Sequence, residues 1–314
     1  MKKNSLIPLF GITILVISLP VMVFGATETS HTERSFPATP GGKVMVDASF
    51  HMIEVTARPG NSVDVVVDLE FSASEDKAKR LLEEYNPRFE IDGGTIVIRS
   101  TRKKATWNWG SYKSKGMISV SMPPGMDLVV DNSSGAVILK GDFGEATVAV
   151  DNSSGNISGQ TAMAVLSVNN SSGQTRIRAI RPLKQFDVDC SSGSVRLEGV
   201  AFKVDVDSSS GSVKLFGLLG DARVDSSSGS VEAVWQSIPA GAIVKIDTSS
   251  GGVRLAFPSG TVFKGTIDTS SGGIRTEFPC AVKKRDFCRF NGGSDAVRLS
   301  IDTSSGGVRL TSIN

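Results

Sequence analysis

Histidine is nearly missing from this chain: His31 and His51 are the two in 314 residues. Cysteine is scarce, with three, and aromatic residues make up 6%. So few imidazoles and thiols leave little material for a zinc centre. No charge of one sign dominates. Lys and Arg number 34 and Asp and Glu 32, and a leader that removes Lys2 and Lys3 leaves 32 against 32. Nucleic-acid binders draw affinity from net neutralisation of phosphates, so this balance argues against one. Nothing after residue 26 is apolar for long enough to span a bilayer, so membrane insertion after leader cleavage is not expected. Glycine (33) and serine (43) are abundant. That composition suits disorder, but its spacing assigns it to the turns of an ordered β protein.

Met1-Lys2-Lys3 followed by a mostly apolar stretch from Leu6 to Phe24 has the layout of a secretory signal peptide, residues 1–25. Val23 and Gly25 suit cleavage after Gly25 or Ala26. An uncleaved anchor is the alternative, since the stretch is about long enough to cross a membrane; Pro20 and the small residues after it favour cleavage. No cysteine near the site offers a lipid attachment point. Residues 26–42 are expected to be a linker, and the mature protein to be exported to the periplasm, cell surface or medium. Export permits disulfides. Cys280 and Cys288 share one inserted segment, 280–291, where a local bridge is expected; two free thiols are the alternative.

A repeat dominates the rest. Asp/Asn-x-Ser-Ser-Gly-x-(Val/Ile/Thr) occurs nine times, with its glycine at 135, 155, 173, 193, 211, 229, 251, 272 and 306. Five residues before each glycine stands Val or Ile, from Val130 to Ile301. Two after it come Val137, Ile157, Thr175, Val195, Val213, Val231, Val253, Ile274 and Val308. Such alternation means strands with one buried face, two per repeat, joined across Ser-Ser-Gly. The same phase turns a polar column inward: Asn132, Asn152, Asn170, Cys190, Ser208, Ser226, Thr248, Thr269 and Thr303. The serine before each glycine shares that phase and is expected to face inward too. Stacked at strand spacing, these groups are expected to bond up and down a ladder. Cys190 is then a small inward residue. Outward columns carry Asp four residues before the glycine and mostly Arg or Lys three after it, and a neighbouring basic stack is expected to offset the acidic one.

Columns stack when equivalent strands lie in register, one coil above the next. The expected fold is therefore all-β: a single-chain β-solenoid, parallel β-helix-like, with coils of roughly 18–22 residues over 123–314. A sandwich of antiparallel hairpins is the competitor and would not align the columns so simply. Residues 43–122 are expected to form an N-terminal β-rich cap with one helix. Val46 to Val55 fits the repeat, with Phe50 and His51 at the turn. Ser72 to Tyr85 has helical spacing and a Ser72/Glu75 capping box. Phe89 to Ile98 fits a hairpin turned at Asp92-Gly93-Gly94. A polar loop, 101–116, carries Trp107, Trp109 and Tyr112.

The string Val-x-Met-Pro-Pro-Gly-Met-Asp-Leu-x-Val-Asp-Asn-Ser-Ser-Gly-x-Val, residues 120–137, resembles a bacterial family of candidate adhesins built from serial β-strand repeats, a domain of unknown function. The resemblance covers roughly residues 43–314. It implies an envelope protein and brings no catalytic residues with it.

Enzyme chemistry finds no foothold. A glycosidase needs one particular carboxylate pair, and the regular Asp column singles out none. A Ser-His-Asp triad would have to use His31 or His51. The Gly-Gly-x-Gly-x-Asp turn of calcium-loaded β-rolls is absent, so no metal or other cofactor is expected. The expectation is a secreted or cell-envelope, non-enzymatic, adhesin-like binding or scaffold module whose partner is a cell-surface protein or a glycan. A polysaccharide-binding or polysaccharide-processing β-helix is the alternative. Trp107, Trp109 and Tyr112 are the ligand-binding candidates, since aromatic faces stack on sugars and partner surfaces; packing over the solenoid end is their competing use.

Overall fold

The computed structural model describes residues 26–102 and 111–314. Residues 1–25, and residues 103–110 with Trp107 and Trp109, lie outside the described residues.

Each repeat is a coil of two strands bent at Ser-Ser-Gly. Asp127–Ser134 and Val137–Asp142 flank Gly135, and Thr147–Ser154 and Ile157–Ala162 flank Gly155. Successive coils pair in parallel and in register: Val130 opposes Val150, Asp131 opposes Asp151, and Val137 opposes Ile157. The strands before the bend form one sheet and those after it a second, with a common core between them. The inward Val and Ile columns are buried along their whole length, each side chain contributing roughly 1.5–3 kcal/mol. Mid-solenoid, Val195–Ser210 and Val213–Ser228 run on from the second sheet into the first without a break. The bend requires glycine. Gly193 has φ 137°, and a Cβ there would collide with the carbonyl oxygen of Gly173 one coil below.

Chain order and spatial order part at both ends. The coil of Lys43–Ala48 and Met52–Ala57 sits one place in, between Asp127–Ser134/Val137–Asp142 and an outer coil of Thr95–Ser100 and Lys113–Met122. At the other end the last coil in sequence, Val297–Ser305 with Val308–Ile313, lies between Ile243–Ser250/Val253–Pro258 and the terminal coil of Phe263–Thr269 and Ile274–Thr276. Eleven such coils stack among the described residues, which at about 4.8 Å each makes a rod on the order of 50 Å. Antiparallel strands close the outer edges. Ser62–Ala73 pairs with Lys113–Met122, and Arg88–Asp92 with Thr95–Ser100. Phe287–Asn291 pairs with Phe263–Thr269 and with Val282–Lys283.

Several expectations need correcting. Residues 26–37 are no linker: Ala26–Pro37 is a strand paired antiparallel along Ser62–Ala73. The helix is Glu75–Tyr85, begun at Ser74 with no side-chain cap; Ser72 is held instead by pairing with Thr27 and Lys113, and ladder hydrogen bonds outcompete the capping box. The serine before the glycine is exposed in every repeat but the first, where Ser134 is half-buried, because the bend ends the alternation one residue early. The inward polar column does not bond to itself. Asn132, Asn152 and Asn170 donate from Nδ2 to the turn carbonyls of His51, Gly135 and Gly155 one coil below, at 3.1–3.3 Å. Ser208, Ser226, Thr248 and Thr303 find no partner among the described residues.

Candidate functional site

The outer faces of the two sheets look away from each other and carry opposite charge. On the first sheet, Asp131, Asp151, Asn169, Asp189, Asp207, Asp225, Asp247, Asp302 and Asp268 form one row in register. Asp187, Asp189, Asp205 and Asp207 line a shallow depression of about 300 Å³. Asp207 is exposed, and desolvation by the surrounding side chains, then the carboxylates of Asp225, Asp189 and Asp205, raise its pKa above the usual range. On the second sheet, Arg176, Arg196, Lys214, Glu232, Arg254, Arg309 and Arg275 form the matching row. The expected offset between neighbouring stacks does not occur, because the core separates them. Among the described residues no ion pair joins the two rows, and Arg99 reaches the first-sheet Asp47 at 3.5 Å.

The two histidines sit in different surroundings. His31 lies on strand Ala26–Pro37, with Nδ1 2.6 Å from Asp68 and Nε2 3.1 Å from Glu33. Those hydrogen bonds to Asp68 and Glu33 raise its pKa. His51 is fully buried, stacked on Phe50 at 4.4 Å, with Nε2 2.9 Å from Ser100 Oγ. Ser100 donates its hydroxyl to the Tyr85 carbonyl, so His51 Nε2–H donates to Ser100. Burial lowers the His51 pKa to about 4. Among the described residues no three His, Cys, Asp or Glu side chains gather to hold a metal ion.

Of the three aromatic binding candidates, Trp107 and Trp109 fall outside the described residues. Tyr112 is 39% exposed, its ring 6.4 Å from Phe71 and beneath Lys77 Nζ at 5.0 Å. It thus edges the aromatic cluster of Phe50, His51, Phe71 and Tyr85 under the helix. The register adds what sequence reasoning missed. Ser100 opposes Ala48 and Met117 opposes Met52, so Ser100 and Met117 stand at the two positions that flank the turn in the neighbouring coil. The third tryptophan, Trp235, is fully buried, stacks on Phe257 at 4.4 Å and donates Nε1–H to the Gly220 carbonyl at 2.9 Å.

Cys280 and Cys288 form a disulfide with Cα atoms 6.1 Å apart. Cys190 is free and buried in the polar column, and burial raises its thiol pKa.

With the coils, rows and end caps in place, comparison with known proteins is decisive for the family. Residues 46–311 match Toastrack DUF4097. The chain belongs to the Toastrack family. The resemblance carried by residues 120–137 and the solenoid itself agree with that membership. A solved structure of a candidate lipid-binding protein from Parabacteroides distasonis has the same fold, with TM-score 0.52 and 14% identity over 90% of this chain and 97% of that one. A candidate adhesin from Bacteroides fragilis is similar over 90% of this chain and 97% of its own, with TM-score 0.40 and 13% identity. No curated protein matches the chain significantly. No helix among the described residues is long and apolar enough to cross a membrane.

Proposed function

We propose that this Toastrack chain is an exported, non-enzymatic, adhesin-like binding module of the cell envelope. One observation carries the reading: an acidic and a basic outer-face row recur at strand spacing along the rod, so the surface presents many similar contacts rather than one reactive constellation. Repeated weak contacts along such a face add up through effective concentration. The two histidines support the same reading, since one is tied between carboxylates and the other is buried and neutral. A polysaccharide-processing role would have to draw on the depression of Asp187, Asp189, Asp205 and Asp207, where the Asp row is doubled.

Trp107, Trp109 and Tyr112 are the proposed contact residues for a glycan or a cell-surface protein. The test is adhesion of the purified protein to envelope fractions and glycan arrays, repeated after replacing both tryptophans with Ala. A soluble double variant with normal melting that no longer binds supports the platform. A loss of about 3–5 kcal/mol in stability assigns the rings to the end cap instead.

A further inference from the structure

Three of the repeats differ from the others in a way the fold does not require. The residue after the turn glycine is Ala136, Asn156, Gln174, Ser194, Ser212 or Ser230 in the first six, and Gly252, Gly273 and Gly307 in the last three. None of these three glycines has left-handed φ. A Cβ at Gly273 would meet nothing within 4 Å, and at Gly252 and Gly307 it would meet only ordinary contacts near 3.4–3.6 Å. Side chains would fit, and their absence leaves open space.

That space is a cleft of about 630 Å³ at the C-terminal end of the second sheet. The three glycines line it together with Arg254, Arg275, Arg285 and Arg309. Arg254, Arg309 and Arg275 stand in register on adjacent strands, about 4.8 Å apart. Arg285 comes from the insertion stapled by Cys280 and Cys288, which also bonds to the terminal strand through the Arg285 carbonyl and Ile274 N–H at 2.9 Å. Among the described residues none of the four arginines has an ion-pair partner, and no acidic side chain lines the cleft. The nearby Glu277 accepts from Ser312 N–H instead. One coil beyond Arg254 the row is broken by Glu232.

We propose that this cleft binds a compact, multiply charged phosphate group, a phosphate ester or a pyrophosphate. Arginine forks match phosphate oxygens in bidentate fashion and hold their charge at every physiological pH. Four of them exceed what the two oxygens of one carboxylate can use, whereas a phosphate supplies three strong acceptor oxygens and nearly two charges. The row is three strands long and stopped by Glu232, which suits a point of attachment and not a track for a long polyanion. The free glycine backbone lets the anion approach the floor. This site goes beyond the adhesin-like reading and stands or falls without it.

Isothermal titration of the purified protein with inorganic pyrophosphate at low ionic strength is the test. The wild type should bind saturably. Arg309→Gln, the middle of the row, should weaken binding about tenfold or more, as loss of a charge-assisted hydrogen bond does. Arg196→Gln, on the same row but outside the cleft, should leave it unchanged. Gly273→Leu should abolish binding with an unaltered Tm. Phosphatidylcholine vesicles with and without phosphatidic acid separate the sources. Arg309-dependent capture of the acidic vesicles alone assigns a lipid headgroup, and pyrophosphate binding without vesicle capture assigns a soluble phosphate. No saturable binding of pyrophosphate, equal binding by Arg309→Gln, or binding of oligogalacturonate in place of phosphate would overturn the proposal.

Discussion

The two ends of the solenoid face the same problem and solve it with different chemistry. Each end coil has an edge that must be covered. At the N-terminal end the edge is covered by Ser62–Ala73 and Ala26–Pro37, under the helix Glu75–Tyr85. The space is filled by Phe50, Phe71 and Tyr85, with centroids 5.1–5.5 Å apart, and by His51. At the C-terminal end Trp235, Phe257, Phe263, Phe278 and Phe290 fill the space, and a short disulfide-closed insertion covers the edge. One cap is secured by burial around a titratable ring, the other by a covalent loop. The first should therefore respond to acid and the second to reductant. Both ends tuck the first or last coil one place inward beneath a coil from further inside the chain, and at the N-terminal end Ala26–Pro37 is the outermost strand.

The largest effect should come from emptying the N-terminal cap. Phe71→Ala should lose about 3–5 kcal/mol in denaturant unfolding and should aggregate, because Lys113–Met122 would lose its cover. A loss below 1 kcal/mol would mean that the cluster does not hold the cap.

Next comes acid. His51 has its pKa lowered to about 4 by burial, against 6.5 in the unfolded chain. The unfolded state therefore binds more protons between those values, and stability rises with pH through the window. Its contribution is fully present above pH 6.5 and is lost as pH falls toward 4, by about 3 kcal/mol. The difference between wild type and His51→Leu across pH 4–6.5 isolates this group. Parallel profiles would contradict it.

Reduction acts on the other end. Breaking Cys280–Cys288 releases a short loop and should cost about 2–3 kcal/mol. Hydrogen exchange should place the loss in residues 274–291 and leave 43–122 protected. Exchange rising equally at both ends would erase the distinction between the caps.

The smallest effect belongs to the shaft between them. Asp207→Asn should raise Tm slightly at neutral pH, since desolvation by its surroundings and the neighbouring carboxylates disfavour its charge. The gain should shrink as salt is added.

Much of this was legible in the sequence, for a definite reason. A parallel stack in register writes each spatial column as a sequence column, so Val130 to Ile301 and Asn132 to Thr303 announce the coils and their core. The serine before the glycine does not follow the inward phase, since alternation stops at the bend. Ala26–Pro37 is too polar on both sides to show a strand period, and only its pairing with Ser62–Ala73 reveals it. The exchanged order of the ends is topological and leaves no periodic trace. One signal did exist at the C-terminal end: the strings Ile-Asp-Thr-Ser-Ser-Gly-Gly-(Val/Ile)-Arg at 246–254, 267–275 and 301–309 are nearly identical despite the intervening insertion. The charge rows were visible, but which sheet each occupied was not, because the bend between the two positions decides it. The arginine cleft depends on register at the exchanged end and on Arg285, which no repeat column contains.

The central claim is the register with its tucked final coil, and cysteine cross-linking tests it directly. In a Cys190→Ser background, Asp247→Cys with Asp302→Cys places two thiols on adjacent strands. Asp247→Cys with Asp268→Cys places them two strands apart, about 9.6 Å. A disulfide needs Cα atoms within about 7 Å. The account predicts that the first pair closes under mild oxidation, seen as a linked peptide by mass spectrometry, and that the second does not. Closure of the second pair and not the first would show coils stacked in sequence order and would contradict it.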